Sequence, residues 1–478
     1  VADFTGRFGW GYDGVLPYAP HHAYGTPDDF KRFIQQAHRL GLMVFLDVVY
    51  NHFGPDGCYL REFSPFYFTS RYANEWGEAL NFDGEQSGPV RELVVANAGY
   101  WVGEFHLDGL RLDATQQVFD AGPVHVLAEV TQRVRDAAPG RHTLVIAENE
   151  PQEVKLVRPR DQGGYGMDAL WNDDYHHTAR VALSGRSEAY FTDYRGTPQE
   201  LLSAVKWGYL YQGQRYAWQK KRRGTPALGV PPAAFVLCIQ NHDQLANSGF
   251  GARCHQLGGP GDWRALTALT LLAPGTPMLF MGQEFAASTP FLYFSDHQGE
   301  LADAVRKGRA DFVSQFPSVA QARALLPDPN SPETFERCKL DLGERERNAP
   351  AYALHRDLLR LRREDPVFRA QRPGGVDGAV LAPQAFVLRW LTDGGGDRLL
   401  VVNLGGDLRL EPAPEPLLAP PEGCRWATLW SSEDPRYGGA GTPPLDTDEF
   451  GWRIPAHSAV ALAPGKGEEG GEEGEGGE

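Results

Sequence analysis

The stretch Leu42-Met43-Val44-Phe45-Leu46-Asp47 decides the fold class of this chain. Its five apolar residues do not alternate with polar ones, which is typical of a parallel-sheet strand covered by helices on both faces. A helix is predicted just before it, because Thr26 can cap the first turn, Pro27 fits that turn and Gly41 ends the helix. A helix followed by such a strand indicates repeating β–α units.

Similar apolar runs recur along the chain and are followed by chemically active side chains. The runs occupy residues 107–112, 144–147, 234–239 and 277–281, with amphipathic stretches such as 124–137 between them. Most of the strands end in polar or acidic residues, at 47–52, Asp113, Glu148 and 241–244. Function at the C-terminal ends of many parallel strands is the pattern of a (β/α)8 barrel. A doubly wound sheet is the alternative, but it usually carries its ligands at a single crevice.

The pattern changes after residues 360–366. Short alternating runs at 385–391, 398–404 and 425–430 are separated by Gly, Pro and Asp, which predicts an antiparallel β-sandwich. We therefore expect a barrel over residues 1–366, a sandwich over 367–464, and an acidic Gly/Glu tail without ordered structure over 465–478.

The composition of the 478 residues is that of a soluble globular protein, with 42% hydrophobic and 23% charged residues. No uncharged apolar run reaches the ~18 residues that a transmembrane helix needs, so we expect no membrane partner. A net charge of −16 repels nucleic acid phosphates, so we expect no nucleic acid either. The basic run Lys-Lys-Arg-Arg at 220–223 predicts a solvated loop.

Neither a metal nor a cofactor is expected. The cysteines are widely spaced and include no Cys-x-x-Cys pair, which favours reduced thiols in a cytoplasm over disulfides or zinc. They are Cys58, Cys238, Cys254, Cys338 and Cys424. The pairs His21-His22 and His176-His177 lack metal-ligand spacing with carboxylates.

Three acids are candidates for chemistry because each follows a predicted strand. Arg111 shares a strand face with Asp113, so we expect it to lower the pKa of Asp113 and keep a nucleophilic carboxylate ionised. Glu148 follows an apolar run, and partial burial would favour the protonated form that a general acid needs. Asp243 lies beside His242 at another strand end. Taken singly, each acid could instead be a loop or cap residue.

Four segments together resemble the signature segments of the α-amylase family of glycoside hydrolases. They are Asp47-Val48-Val49-Tyr50-Asn51-His52, Gly109-Leu110-Arg111-Leu112-Asp113, Glu148 within Ile-Ala-Glu-Asn, and Asn241-His242-Asp243. Their order and spacing fit the family, and the resemblance extends from about Gly9 to the C-terminal sandwich.

The resemblance implies a retaining mechanism in which Asp113 is the nucleophile, Glu148 the acid/base and Asp243 a stabiliser that holds sugar hydroxyls. It places a further set of residues around the scissile bond, namely Tyr12, His52, Arg111 and His242. Asp47 is expected to hold the strand-end network rather than to perform chemistry. Asn51 matches a position that binds calcium in some relatives, but we do not carry calcium over.

Within the family, residues 167–177 and Asn-His-Asp-Gln resemble the trehalohydrolases, which cleave the α-1,4 bond next to a terminal trehalose unit. Branching enzymes resemble the chain around 171–177 but usually carry Glu after the last Asp, so Gln244 favours the hydrolase. Trp171, Asp174 and Gln244 are candidates for trehalose recognition, and each could equally be structural. The alternatives are a branching transferase and a barrel that has lost catalysis and only binds.

The start of the chain departs from the family pattern. The family barrel needs strands before Tyr12, and residues 1–9 leave no room for them. We expect the first barrel strand, its helix and most of the second strand to lie upstream.

Overall fold

Strands and helices alternate along most of the chain, in a computed structural model that describes residues 1–447 and 451–466. The strands are β1 (Ala2–Phe4), β2 (Gly14–Pro20), β3 (Phe45–Val48), β4 (Phe68–Thr69), β5 (Ala79–Leu80), β6 (Gly109–Leu112), β7 (Leu144–Ala147), β8 (Ala169–Trp171), β9 (Arg215–Tyr216), β10 (Lys221–Arg222), β11 (Phe235–Leu237), β12 (Thr276–Pro277), β13 (Val376–Ala382), β14 (Ala385–Trp390), β15 (Arg398–Asn403), β16 (Leu408–Leu410), β17 (Cys424–Ser431), β18 (Asp446–Thr447), β19 (Gly451–Ile454) and β20 (Ser458–Lys466). The helices are α1 (Pro27–Arg39), α2 (Leu60–Phe63), α3 (Ser87–Glu104), α4 (Val126–Asp136), α5 (Asp173–Ser184), α6 (Pro198–Trp207), α7 (His242–Ala246), α8 (Pro260–Leu272), α9 (Gly299–Val313), α10 (Pro317–Ala320), α11 (Pro332–Arg337), α12 (Glu344–Arg347), α13 (Ala349–Glu364) and α14 (Pro366–Arg369).

Six parallel strands form the central sheet and pair in chain order, as β3-β6-β7-β8-β11-β12. Consecutive strands of a (β/α)8 barrel pair in this way, whereas a doubly wound sheet reverses its order near the middle. The predicted parallel α/β class is confirmed. Over the described ranges the sheet is open, with β3 and β12 at its edges.

The helix before the first parallel strand begins as predicted. Thr26 is its N-cap, and the side chain of Asp29 completes a capping box by accepting from the Thr26 backbone N–H at 2.9 Å. The strand itself differs from the prediction, because pairing with β6 starts only at Phe45. Leu42 and Met43 lie before that pairing and are exposed.

The C-terminal part contains the predicted antiparallel sandwich. One sheet has the order β13-β14-β15-β20-β17 and the other β16-β19-β18. They share a core in which Val401 and Val460 of the first sheet pack with Trp452 and Ile454 of the second. Helix α14 lies at the predicted barrel–sandwich boundary, and the strands begin after it. β20 runs two residues into the predicted acidic tail, and residues 467–478 lie outside the described residues.

Helix α8 connects the two parts of the molecule. Residues 263–272 of this helix are all buried, and Leu266 belongs to the same apolar core as Leu400 and Trp430 of the sandwich. Arg264 Nη2 donates to Glu433 Oε1 at 2.7 Å across the contact. None of the described helices is both long and apolar enough to cross a bilayer.

Candidate active site

The side chain of Arg111 joins the tips of three neighbouring strands. Its Nη1 donates to Asp47 Oδ1 at 2.7 Å and to Asp113 Oδ1 at 2.8 Å, and its Nη2 donates to Glu148 Oε2 at 2.6 Å. Asp47 and Arg111 are direct partners in the β3–β6 register, which explains their contact. We call Arg111 with Asp47, Asp113 and Glu148 the Arg111 cluster. Arg111 is 6% exposed, so its charge acts in a poorly solvated setting.

Arg111 lowers the pKa of Asp113 as predicted, but the net shift is upward, so the prediction that Arg111 keeps Asp113 ionised is wrong. Burial raises the pKa of Asp113 well above its ordinary value, and the neighbouring charge of Glu148 raises it further. Arg111 opposes this shift but is shared with Asp47 and Glu148, so one positive charge faces three carboxyl groups. The carboxyl of Asp113 therefore holds its proton more firmly than an isolated aspartic acid does.

The third predicted acid is connected to this cluster through Tyr12. The Tyr12 hydroxyl donates to Asp47 Oδ2 at 3.0 Å and lies 2.9 Å from His242 Nε2, and the two rings stack with centroids 5.4 Å apart. His242 Nε2 lies 3.5 Å from Asp243 Oδ2. The charge of Asp243 also contributes to the raised pKa of Asp113. Asp113, Glu148 and Asp243 thus belong to one connected network of side chains.

Trp171 packs against the Arg111 cluster, and His52 is linked to it through Asn51. The Trp171 ring lies 4.4 Å from the Arg111 guanidinium carbon and 6.1 Å from the His242 ring. His52 is buried and hydrogen-bonded through Nδ1 to Asn51 Oδ1, and burial lowers its pKa, so it is neutral at pH 7. Asn51 Nδ2 in turn donates to the backbone carbonyl of Asp113 at 3.3 Å.

Asp174 has a structural environment, and its predicted role in recognising trehalose stays a prediction. Its side chain is fully buried, and its carboxylate accepts from the Tyr194 hydroxyl at 2.6 Å, the Tyr211 N–H at 2.7 Å and Arg223 Nε at 3.3 Å. Gln244 lies in the first turn of α7, where its backbone N–H is capped by Asn241. Its role in trehalose recognition stays a prediction.

A second buried arginine was missed by the sequence analysis. The prediction of a solvated loop at 220–223 is wrong for Arg223, which is 2% exposed. Its guanidinium contacts Glu150, lies 3.6 Å from Asp173 Oδ2 and bonds to Asp174. We call these four residues the Arg223 cluster. The available signal was the density of acids from Glu148 to Asp174, which requires a buried cation if several of them are buried.

A group of possible metal ligands lies at the start of β1 and the end of β2. The Nδ1 atoms of His21 and His22 are each 2.8 Å from Asp3 Oδ1. Residue spacing does not reveal this pairing, because the β1–β2 hairpin separates Asp3 from the two histidines in the chain. Asp3 already accepts hydrogen bonds from both rings and from the His22 N–H.

Comparison with known proteins agrees with this geometry. The family model described as "Alpha amylase, catalytic domain" matches residues 9–74, and the one described as "Domain of unknown function (DUF3459)" matches residues 373–460. The crystal structure of a putative alpha amylase from Salmonella typhimurium is 38% identical, with a TM-score of 0.83, and the match covers 97% of this chain and 75% of that one.

Curated relatives indicate which subfamily of the α-amylase family the chain is most similar to. Malto-oligosyltrehalose trehalohydrolase of Deinococcus radiodurans is 43% identical over 86% of this chain and 66% of its own length. The protein of that name from Rhizobium sp. (strain M-11) is 38% identical over 84% of this chain and 67% of its own length. A 1,4-alpha-glucan branching enzyme of Leifsonia xyli subsp. xyli is more distant, at 30% identity over 68% of this chain and 45% of its own length.

Fold and site define a member of the α-amylase family of glycoside hydrolases, and within it the chain belongs to the malto-oligosyltrehalose trehalohydrolase family. The chain spans just under two thirds of the length of the Deinococcus relative.

Proposed function

We propose that the protein is a retaining glycoside hydrolase that cleaves the α-1,4 bond next to the trehalose end of maltooligosyl trehalose. The products are trehalose and a maltooligosaccharide. The observation that carries this proposal is the Arg111 guanidinium, which holds the carboxyls of Asp113 and Glu148 side by side at adjacent strand tips. The names of the relatives support the choice of substrate.

In the first step, a carboxylate oxygen of Asp113 attacks the anomeric carbon of the sugar on the non-reducing side of the scissile bond. Glu148 gives its proton to the glycosidic oxygen, that bond breaks, and trehalose leaves. Among the described residues, Glu148 Oε2 is occupied by Arg111 Nη2 and the Ala114 N–H, at 2.6 and 3.1 Å, so Oε1 is assigned to the proton transfer. This step needs one proton on the carboxyl pair, and Arg111 stabilises the ionised Asp113.

In the second step, Glu148 takes a proton from water, and the water oxygen attacks the same anomeric carbon. The bond to Asp113 breaks, and the new reducing end has the α configuration of the original bond. Asp243 accepts hydrogen bonds from ring hydroxyls in both steps. His242 and Tyr12 position Asp243 and Asp47 around the sugar.

The second candidate function is transfer to a sugar acceptor, as in a branching enzyme. The same carboxyls would form the same intermediate, and a glucan hydroxyl would replace water. The identity figures favour the hydrolase, since the branching enzyme matches less of the chain.

Product analysis of the full-length protein separates these functions. With maltooligosyl trehalose as substrate, we expect free trehalose and, by NMR at early times, the α-anomer of the released oligosaccharide. New α-1,6 branches would favour the transferase. Absence of turnover by a folded protein would favour a barrel that only binds.

We also propose that the protein works in the cytoplasm. All five cysteines are free, and three of them are buried, which suits a reducing compartment. Cell fractionation with an antibody against the protein tests this proposal, and recovery outside the cytoplasm would contradict it.

A further inference from the structure

Two adjacent acids at the start of α5 have opposite environments. Asp174 is fully buried and saturated with hydrogen bonds, whereas the Asp173 side chain is 16% exposed. The closest cation to Asp173 is Arg223 Nη2 at 3.6 Å, which is too long for a hydrogen bond. Asp173 follows Trp171, whose ring packs on Arg111, so this partly free carboxyl lies beside the catalytic cleft.

Asp173 follows β8, which pairs in parallel with β7, and Glu148 follows β7, so the two acids lie at neighbouring strand tips. Burial raises the pKa of Asp173 to about 8, and the charge of Glu148 contributes to that shift. The groups that most affect Asp113 are instead Glu148, Arg111, Asp47 and Asp243. In the proposed reaction Glu148 protonates the leaving oxygen, and the tip of β8 lies on the side of Glu148 away from Asp113, where we expect the leaving sugar.

Arg223 holds Asp173 in place. Its Nη1 contacts Glu150 and its Nε contacts Asp174 at 3.3 Å, which fixes the plane of the guanidinium and directs Nη2 towards Asp173. The guanidinium carbon also lies 5.0 Å from the centre of the Tyr216 ring. The guanidinium that Asp173 faces is therefore held by contacts that do not involve substrate.

We propose that Asp173 is a specificity-determining residue that hydrogen-bonds hydroxyls of the leaving trehalose unit, and that Arg223 is the residue that positions it. This inference rests on the proposed function. A carboxyl accepts hydroxyl hydrogen bonds in either protonation state, and when protonated it also donates one. A buried polar group left without its partner discriminates strongly against substrates that cannot supply one. A linear maltooligosaccharide presents a different set of hydroxyls at this position.

The test compares two substrates in the full-length protein. For Asp173→Ala, we expect kcat/KM for maltooligosyl trehalose to fall at least about tenfold more than kcat/KM for a linear maltooligosaccharide with the same number of glucose units. Asp173→Asn keeps one acceptor and should lie between wild type and Asp173→Ala. Glu153→Gln, a partly exposed acid paired with Lys155, is the charge control and should leave the ratio unchanged.

A second measurement keeps the inference falsifiable if catalysis falls too low. Trehalose should inhibit hydrolysis of the linear substrate by the wild type, and Asp173→Ala should raise its inhibition constant by a similar factor. Arg223→Lys should shift the specificity ratio in the same direction, since it keeps the charge but loses the planar fork.

The outcomes separate the inference from the proposed function. A wild type that releases no trehalose overturns the proposed function. A wild type that releases trehalose, with equal losses on both substrates and an unchanged inhibition constant in a folded Asp173→Ala, overturns only the role of Asp173.

Discussion

The Arg111 and Arg223 clusters have the same composition and different settings. Each has one buried arginine facing three carboxyl groups. In the Arg111 cluster all three carboxyls retain some exposure, from 15% for Asp113 to 30% for Asp47. In the Arg223 cluster, Asp174 has none and is bonded to Tyr194, Tyr211 and Arg223 itself.

The difference shows that a charge cluster alone does not identify an active site. Hydrogen-bond saturation and access to the cleft decide whether a carboxyl can meet a substrate. The Asp113 side chain is 15% exposed, whereas Asp174 is fully buried and its carboxylate accepts three hydrogen bonds. Asp173 is 16% exposed and belongs to the Arg223 cluster, so its ion-pair partner is Arg223 rather than Arg111.

The largest expected effect is a loss of turnover when a carboxyl of the Arg111 cluster is changed. Asp113→Asn removes the proposed nucleophile at nearly constant volume, so kcat should fall about 10⁴-fold or more. Calorimetric titration with maltooligosyl trehalose should show binding close to that of the wild type. A comparable loss of binding would remove Asp113 from the role of nucleophile.

The next largest effect is a loss of folding stability when the arginine of the Arg223 cluster is changed. Arg223→Met leaves three carboxyls without their cation, so we expect the free energy of unfolding to fall by about 3–5 kcal/mol, measured by urea denaturation. Arg222→Met changes an exposed arginine one residue away and should cost less than about 0.5 kcal/mol. Equal losses in the two variants would mean that Arg223 has no structural role.

Each cluster has a tyrosine hydrogen-bonded to one of its acids, and removing each hydroxyl compares the two clusters. Tyr194→Phe removes the 2.6 Å hydrogen bond to Asp174 and should cost about 1–2 kcal/mol of stability. Tyr12→Phe removes the contacts to Asp47 and His242 and should act mainly on turnover, lowering kcat about tenfold. If both variants lost stability and neither lost turnover, the two clusters would not differ in function.

The smallest expected effect is a pH-dependent difference in Tm between the wild type and Asp113→Asn. The raised pKa of Asp113 means that the folded protein binds its proton more tightly than the unfolded chain, so this group costs stability as pH rises above about 4. Asp113→Asn removes that cost and should raise Tm by about 1–3 °C at pH 7. Near pH 3.5 both states of the wild type are protonated, and the difference should vanish. A Tm gain that is the same at both pH values would show that Asp113 is not the titrating group.

The parts of the site that the sequence predicts are local in the chain. An apolar run followed by an acid identifies a strand and its tip, so Asp113, Glu148 and Asp243 could be found without coordinates. Arg223 could not, because it meets Asp174 and Glu150 from 49 and 73 residues away.

Local pattern also gave the wrong sign for the pKa of Asp113. The nearby Arg111 is visible in the sequence, but burial and the charge of Glu148 come from neighbouring strands. The choice between Asp173 and Asp174 could not be made from the sequence for a similar reason. Which of two adjacent helical residues faces a cleft depends on the rotation of α5 about its axis, and packing sets that rotation.

Helix α8 has a consequence for how the molecule loses its structure. Its apolar residues contact barrel and sandwich together, and His457 and Glu433 of the sandwich bind Asp262 and Arg264 of the helix, at 2.8 and 2.7 Å. Melting of either part uncovers a surface that the other part needs. Both parts should therefore unfold in one cooperative thermal transition. A barrel expressed without the sandwich would expose an apolar surface and should aggregate.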